Sequence, residues 1–307
     1  MSVIFMGTPE FGVEVLRKIH EDGWDISAVY TQPDKPKGRG MKFIPTPVKA
    51  YAQSVGLPVY QPASCRSEET LAEIRALEPD VIVVAAYGKI LPQALLDIPK
   101  TAIINVHSSI LPQYRGAAPI NWAILNGDKE TGVTVQYMAA ELDSGDILMV
   151  KKTPIDPEED ASALYARLAK LGGEVASESL AALRDGIAGR TPQVYGPQYQ
   201  YASMLSREMS PVDWTKPAQT LVDQIRGLVP WPCATTEVVG IRWKLFRGHV
   251  GGETKKAPGT ILSADKGGVA VACGDGRALV ITELQADGGR RMAAADYLRG
   301  HPIQVED

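Results

Sequence analysis

The first 150 residues alternate between short apolar runs and segments in which apolar residues recur every three or four positions. The short runs predict strands, and the periodic segments predict helices that pack against them. Strands are predicted at 2–6, 25–30, 59–60, 80–86 and 101–106, then at 132–138 and 147–153. This alternation predicts an α/β fold, in which a mostly parallel sheet carries helices on both faces.

The predicted helices begin at residues that commonly start helices. Pro9 opens the first helix, the pair Thr46-Pro47 opens the second, and Ser67 caps the third. Two more helices are predicted, a short one near 92–97 and a long one over 161–185, in which paired glycines at 172 and 173 allow a bend.

The second part of the chain has a different pattern. Residues 186–210 are rich in Pro, Gly, Gln and Tyr and have no helical period, which predicts a linker. A helix beginning at Pro217 is followed by short apolar runs at 234–239, 241–247, 259–263, 268–272 and 278–285, and by a last helix near 292–299. Several short strands in under 100 residues predict a small β-barrel. We therefore divide the chain into a domain at 1–189, a linker at 190–208 and a domain at 209–307.

Composition narrows the class of protein. The 307 residues are 45% hydrophobic and contain no apolar run of membrane-spanning length, and the first residues lack the basic lead of a signal peptide, so we expect a cytoplasmic location. The net charge of −4 argues against broad affinity for nucleic acid, so any such contact has to be local. The three cysteines lack metal-ligand spacing, and we expect no metal.

The most informative chemistry lies at the end of the strand predicted at 101–106. Asn105 and His107 are two residues apart, so they share a face where the strand gives way to a loop. Asp143 lies in a glycine-containing loop between two later strands. An amide and an imidazole can stabilise an oxyanion, and an imidazole with a carboxylate can move protons. The three residues predict acyl transfer without a covalent intermediate; polar residues that merely close a strand are the alternative.

Two groups of basic residues are candidates for phosphate contacts. The segment 31–49 exceeds the usual length of a strand-to-helix loop and carries Lys35, Lys37, Arg39 and Lys42. Arg242 and Lys244 alternate along a predicted strand of the second domain, and Arg247 at the end of the same strand is a further candidate for this basic face. For both groups, ordinary solvated surface charge is the alternative. The glycines at 7 and 12 do not form a dinucleotide-binding motif, because Pro9 and Phe11 crowd the turn.

The chain resembles the folate-dependent formyltransferases along nearly its whole length. The segments that carry the resemblance are Phe-Met-Gly-Thr-Pro-Glu-Phe at 5–11, Thr-Gln-Pro-Asp-Lys-Pro-Lys-Gly-Arg-Gly at 31–40, Ala-Tyr-Gly-Lys-Ile-Leu-Pro at 86–92, Asn-Val-His-Ser-Ser-Ile-Leu-Pro at 105–112, Tyr-Arg-Gly-Ala-Ala-Pro-Ile at 114–120, Leu-Asp-Ser-Gly-Asp at 142–146, Ile-Arg-Gly-Leu-Val-Pro-Trp-Pro at 225–232 and Ala-Pro-Gly-Thr-Ile at 257–261. The first 189 residues resemble the family's Rossmann-like formyltransferase domain, and the second domain resembles an OB-like barrel.

The resemblance implies transfer of the formyl group of 10-formyltetrahydrofolate to the α-amino group of methionyl-initiator tRNA, for translation initiation, by a monomer without a metal. It assigns catalysis to Asn105, His107 and Asp143. It places the folate near Ser109, Ile110, Leu111 and Pro112, with Tyr87, Ile90 and Leu91 around the pterin. It gives tRNA contacts to Lys35, Lys37, Arg39, Lys42, Arg242, Lys244 and Arg247.

Two departures from the commonest family pattern lie beside His107. Ser108 stands where the family more often has Gly, and Ile110 where it often has Leu. Serine rarely adopts the positive φ angles open to glycine, so Ser108 raises the question of a local backbone constraint. The alternatives for function are a formyltransferase that acts on a small amine, a non-catalytic RNA-binding protein, and a hydrolase that releases formate from the same folate.

Overall fold

A computed structural model describes residues 1–37 and 42–305, with no side-chain detail at positions 37 and 42. The strands are β1 (Ser2–Gly7), β2 (Asp25–Tyr30), β3 (Lys35–Lys37), β4 (Lys42–Ile44), β5 (Val59–Tyr60), β6 (Val81–Ala85), β7 (Ala102–His107), β8 (Arg115–Gly116), β9 (Glu130–Tyr137), β10 (Ile147–Pro154), β11 (Tyr201–Ala202), β12 (Ala234–Val238), β13 (Ile241–Glu253), β14 (Ile261–Asp265), β15 (Gly268–Ala272), β16 (Arg277–Ala286) and β17 (Met292–Ala293). The helices are α1 (Glu10–Glu21), α2 (Pro47–Ser54), α3 (Glu68–Ala76), α4 (Gln93–Leu96), α5 (Pro119–Leu125), α6 (Ala161–Arg184), α7 (Ala218–Gly227) and α8 (Ala294–Gly300), and a 3-10 helix spans Arg207–Met209.

The chain forms two compact units that do not follow a single cut in the sequence. The first unit comprises Met1–Pro119, Glu130–Pro154 and Tyr165–Ala202. The second unit comprises Ile120–Lys129, Ile155–Leu164 and Ser203–Asp307.

The first unit is built on a sheet with strand order β10-β9-β7-β6-β1-β2-β5. Strands β7, β6, β1, β2 and β5 run parallel. At one side, β9 pairs antiparallel with β7, and β10 pairs antiparallel with β9. All of β6 is buried, as expected for a strand covered on both faces. The predicted, mostly parallel α/β fold is confirmed, and the carboxyl end of β7 lies where the parallel part of the sheet meets β9.

The helix starts predicted from sequence are confirmed at two caps. The Thr46 hydroxyl accepts a hydrogen bond from the Lys49 N–H at the start of α2, and the Ser67 hydroxyl accepts one from the Thr70 N–H at the start of α3. The long helix α6 is uninterrupted across its paired glycines. A Cβ on Gly173 would lie 2.7 Å from the Cβ of Lys18, so close packing against α1 requires glycine there.

Several described elements of the chain were not predicted: the strands β3, β4, β8, β11 and β17, the helix α5 and the 3-10 helix. Within the segment predicted as a loop at 31–49, β3 and β4 pair as an antiparallel ribbon. Its apolar residues Phe43 and Ile44 are 72% and 46% exposed, so they give no alternation of buried and exposed positions that would predict a strand. The helix α5 follows the segment at 114–118 and was also missed.

The second unit contains an antiparallel sheet with strand order β12-β13-β16-β15-β14, and β17 also pairs with β16. Its core surrounds Trp243, which is 1% exposed and packs edge-on against Tyr297 at 5.2 Å between ring centroids. The sheet is OB-like, as predicted, but among the described residues β12 and β14 do not pair, so the barrel is open. Strand β13 extends to Glu253, beyond the predicted 241–247, and its pairing with β16 has an irregular register.

Candidate active site

Asn105 and His107 lie at the carboxyl end of β7 and project to the same face of the sheet. The register places Asn105 opposite Gln136 and His107 opposite Thr134, both on β9. His107 is buried, whereas Asn105 is half-buried. Within the described ranges the Asn105 side-chain amide makes no hydrogen bond, so its donors and its acceptor are available to a substrate.

The ring of His107 is held between a carbonyl and a carboxylate. Its Nε2 lies 2.9 Å from the backbone oxygen of Tyr114, and because a carbonyl oxygen only accepts, Nε2 carries a proton in this arrangement. The opposite edge of the ring faces Asp143, with Nδ1 3.7 Å from Oδ1. This separation is longer than a hydrogen bond, so the carboxylate places negative charge beside Nδ1 without a direct bond to it.

Asp143 is fixed by donors on both of its oxygens. The backbone N–H of Gly116 donates to Oδ2 at 2.9 Å, and the side-chain amide of Gln136 donates to Oδ1 at 3.2 Å. The residue has a φ of +50°, in the left-handed region that Asp tolerates better than most residues. A Cβ on Gly145 would lie 1.7 Å from the oxygen of Tyr137, so the loop lies against β9 in a way that only glycine permits.

The segment after His107, predicted to contact folate, is held by Thr134. The Thr134 hydroxyl donates to the backbone oxygen of Ser109 at 2.7 Å and accepts from the N–H of Leu111 at 3.1 Å. Ser109 and Leu111 are buried, whereas Ile110 and Pro112 are half-buried. Ser108 is not among the residues with positive φ, so its side chain meets no glycine-specific backbone requirement.

The three residues predicted to surround the pterin lie in different environments. Tyr87 is buried in the core of the sheet, with its hydroxyl 3.4 Å from Sγ of Cys65. Burial, with a smaller contribution from this contact, raises the pKa of Tyr87, so its hydroxyl stays protonated near neutral pH. Leu91 is also buried, and only Ile90, at 76% exposed, presents its side chain to solvent.

The predicted basic residues lie on two separate elements. Lys35 is exposed on β3, and Lys37 and Lys42 are register partners in the β3–β4 ribbon. Arg39 lies outside the described residues. Arg242 and Lys244 are exposed on β13 and alternate with buried residues, which confirms that they share a face. Arg247 is exposed beyond an irregularity in the register of the same strand.

An unpredicted polar network supports the ends of the basic segment. Nζ of Lys49 donates to Asp34 at 2.6 Å and to Gln61 at 2.7 Å. The hydrogen bond from Lys49 holds the pKa of Asp34 below its usual range. Gln32 donates to the backbone oxygens of Tyr87 and Gly88, each at 3.0 Å. The basic segment is therefore tied to the 86–92 segment through hydrogen bonds at its base.

Sequence reasoning also missed the polar residues that surround Asp143. Thr134 and Gln136 are both buried and alternate with apolar residues along β9. Polar residues on one face of an otherwise apolar strand were the signal for them, since buried polar groups need partners. Gln193 and Arg115, which contact the same region, carry no such signal.

Two other kinds of feature are absent from the described part of the chain. No group of three or more His, Cys, Asp or Glu side chains there is arranged to hold a metal ion. Over residues 1–37 and 42–305, no helix combines the length and the apolar character that a bilayer crossing requires.

Comparison with known sequences places this site in a family. A model of the family described as "Formyl transferase" matches residues 1–180, and one described as "Formyl transferase, C-terminal domain" matches residues 204–302. The chain is 48% identical to methionyl-tRNA formyltransferases of Trichlorobacter lovleyi and of Geobacter sulfurreducens, over 99% of its own length and 95% of theirs.

Solved structures share the fold at lower identity. An N-formyltransferase from Helicobacter canadensis, in complex with folinic acid and dTDP-3-aminofucose, has a TM-score of 0.69 at 18% identity and is matched over 91% of this chain and 98% of its own. HypX from Aquifex aeolicus, in complex with tetrahydrofolic acid, has a TM-score of 0.66 at 19% identity, over 99% of this chain but 48% of its own. With both family models matched and relatives aligned from end to end, the chain belongs to the formyl transferase family, among the methionyl-tRNA formyltransferases.

Proposed function

We propose that this chain transfers the formyl group of 10-formyltetrahydrofolate to the α-amino group of methionyl-initiator tRNA. The observation that carries the proposal is the 48% identity to methionyl-tRNA formyltransferases over 99% of the chain, which includes the second unit as well as the first. The folate-bound structures that share the fold support a folate-derived formyl donor. We place the reaction in the cytoplasm and propose that the chain acts as a monomer. For its domains we propose a catalytic domain at 1–189, a linker at 190–208 and a tRNA-contacting domain at 209–307.

The residues at the end of β7 fit a reacting carbonyl group. The Asn105 amide is free to donate a hydrogen bond to the formyl oxygen as negative charge develops there. His107 uses its Nε2–H to bond Tyr114, so Nδ1 is the atom that faces the reaction. Nδ1 accepts a proton while the ring is neutral and donates to the same oxygen once the ring is an imidazolium. Asp143, beside Nδ1, orients the ring and takes up the proton of the attacking amine, directly or through water.

The reaction then needs no covalent bond to the protein. The amine nitrogen of the methionyl group bonds to the formyl carbon, the bond from that carbon to N10 of the folate breaks, and a proton passes to N10. The folate supplies the activated formyl group; we assign its binding to Ser109, Ile110, Leu111 and Pro112 and to the segment with Tyr87, Ile90 and Leu91.

The tRNA is assigned to the basic residues. We assign its contacts to Lys35, Lys37, Arg39 and Lys42 in the basic segment and to Arg242, Lys244 and Arg247 on β13. The exposure of Arg242 and Lys244 on one face supports this assignment, because contact with phosphates requires accessible positive charge.

A direct assay tests the proposal. The protein is mixed with 10-formyltetrahydrofolate and methionyl-initiator tRNA, and formyl-methionine is measured; charged elongator tRNA and a nucleotide-linked amino sugar are the comparison acceptors. Formyl-methionine on the initiator tRNA is the expected product. Formylation of the sugar alone, or release of formate without an acceptor, would contradict the proposal.

Asn105→Ala, His107→Ala and Asp143→Ala should each lower kcat by about 10²-fold or more, the loss expected for one catalytic donor or base.

A further inference from the structure

Gln193 lies in the segment for which the sequence predicts a linker, yet this part of the segment is bound to the first unit. Thr191 exchanges backbone hydrogen bonds with Ile147 at 2.8 and 2.9 Å. A few residues later, β11 pairs in parallel with β8. These two attachments bracket Gln193, whose half-buried side chain reaches the loop that carries Asp143.

The Gln193 side chain uses both ends of its amide. Its oxygen accepts from Nε of Arg115 at 3.1 Å and from Nη2 of the same guanidinium at 2.9 Å. Its nitrogen donates to the backbone oxygens of Asp143 at 3.0 Å and Gly145 at 2.7 Å, and to the side-chain oxygen of Gln136 at 3.1 Å. Two N–H groups thus serve three acceptors, so one of them is shared.

The direction of these hydrogen bonds is fixed by chemistry. A guanidinium only donates and a backbone carbonyl only accepts, so the Gln193 amide has one possible orientation. Gln136 must then turn its oxygen toward Gln193 and its nitrogen toward Asp143, where it donates to Oδ1 at 3.2 Å. If the amide of Gln136 were reversed, an oxygen would face the carboxylate.

We infer that Gln193 is a positioning residue for formyl transfer, which holds Asp143 through Gln136 and through the carbonyl groups of the 143–145 loop. Arg115 is a buried residue, and its guanidinium carbon lies 4.6 Å from the ring centroid of Tyr195. Its guanidinium sets the orientation of the Gln193 amide. The catalytic part of this inference rests on the proposed function. Because Gln193 acts through other residues, its loss affects the rate of transfer and leaves substrate binding in place.

Two substitutions at this position test the inference. Gln193→Glu keeps the oxygen for Arg115 but places a carboxylate against three oxygens, and Gln193→Met keeps the approximate length and removes every hydrogen bond of the side chain. Each should lower kcat by about 10- to 100-fold, as expected when a catalytic group is misplaced, with KM for folate and tRNA changed less than about twofold. The exposed Gln198 of the same segment provides the control, and Gln198→Met should match the wild type. A loss confined to KM, or no loss in either Gln193 variant, would overturn the inference.

A double-mutant cycle separates positioning from general support of the fold. If Gln193 acts through Gln136, then Gln193→Met should lower kcat less than about fivefold in a Gln136→Met background, since coupled residues have non-additive effects. If Gln193→Met lowered kcat equally in both backgrounds, a hydrogen-bond relay from Gln193 through Gln136 to Asp143 would be ruled out. Should Gln193→Met fail to fold, Arg115→Lys replaces it, because lysine lacks the fork that orients the Gln193 amide.

A measurement without substrates distinguishes failure of this inference from failure of the proposed function. In the free protein, the ¹⁵N NMR signal of the Gln136 side-chain amide should have a different chemical shift in Gln193→Glu than in the wild type. The protons of this amide should also exchange faster with solvent in the variant. An unchanged Gln136 signal would overturn the hydrogen-bond relay even in an active enzyme. A shifted signal in a protein that does not formylate methionyl-tRNA would preserve the relay and reject the proposed function.

Discussion

The end of β7 and the exposed face of β13 are constructed in opposite ways. At the end of β7, His107 bonds a backbone carbonyl at 2.9 Å, and Asp143 accepts a donor on each of its oxygens. On β13, Arg242 and Lys244 are exposed and alternate with the buried Trp243. The first region fixes the direction of each polar group, whereas the second presents charge with little constraint on its position.

This difference separates two kinds of expected effect. Groups with fixed direction suit a reaction in which atoms must meet at a set distance, and we expect their loss to lower kcat. Exposed charges suit a large anion, and we expect their loss to change KM for tRNA and its dependence on salt. Substitutions in the two regions therefore test whether the division holds.

The largest effect is expected from Asp143→Asn. The amide keeps the size of the side chain but removes the negative charge beside His107. Its nitrogen only donates, so one of the two hydrogen bonds that Asp143 now accepts is lost. We expect kcat to fall by about 10²- to 10⁴-fold, the range for loss of acid–base assistance, with KM for tRNA nearly unchanged. Steady-state formylation assays measure both. Ser144→Ala, in the same loop, is the control. A rise in KM at constant kcat in Asp143→Asn would contradict the assignment of catalysis to the end of β7.

A smaller but large effect is expected from Gly145→Ala. The new Cβ would lie 1.7 Å from the oxygen of Tyr137, so the loop must move and take Asp143 with it. We expect a loss of about 1–3 kcal/mol in the free energy of unfolding, as for other overpacked sites, and a fall of about 10²-fold in kcat. Denaturant unfolding and kinetics on the same preparation provide the measurement. Gly189→Ala, where no atom lies within 4 Å of the new Cβ, should change neither quantity.

Much of the first unit could be predicted because its strands follow from burial. The strands at 25–30 and 59–60 were predicted to the residue, and the strand at 80–86 to within one residue at each end. Each is short, apolar and flanked by residues that end strands, so local sequence determines its limits. The ribbon β3–β4 could not be found in this way, because Lys-Pro-Lys has no apolar alternation and the apolar residues Phe43 and Ile44 are exposed.

The candidate site could be predicted only where one strand carries its residues. Asn105 and His107 follow from a period of two, and Asp143 was selected for its loop and for the family resemblance. Gln193 could not be found, because its partners Arg115 and Gln136 are 78 and 57 residues away in sequence. A hydrogen-bond relay depends on which chain segments meet, and hydrophobic patterning contains no information about that.

Substitutions on the exposed face of β13 should have a moderate effect, on tRNA binding and not on the rate of transfer. Replacing both Arg242 and Lys244 by Ala should raise KM for tRNA by about tenfold and reduce the slope of log affinity against log salt by about two, one for each phosphate that the variant no longer binds. Formylation at several salt concentrations measures both quantities. Lys266→Ala, on the exposed turn between β14 and β15, is the control for a general loss of positive charge. An unchanged salt slope would show that this face is not part of the tRNA-binding surface. A fall in kcat with no change in KM would contradict the assignment of binding to β13 and of catalysis to the end of β7.

The smallest effect is expected from Ser108→Gly, which introduces the residue that is more common at this position in the formyltransferase family. Ser108 does not have a positive φ, so the position makes no demand that only glycine can meet. Glycine would gain freedom in the unfolded chain, and we expect the free energy of unfolding to fall by up to about 1 kcal/mol with kcat unchanged. Ser108→Ala separates the loss of the hydroxyl from the gain in backbone freedom. If kcat rose several-fold in Ser108→Gly but not in Ser108→Ala, backbone rigidity beside His107 would limit the reaction. The fixed geometry at the end of β7 would then be a constraint on the rate as well as its source.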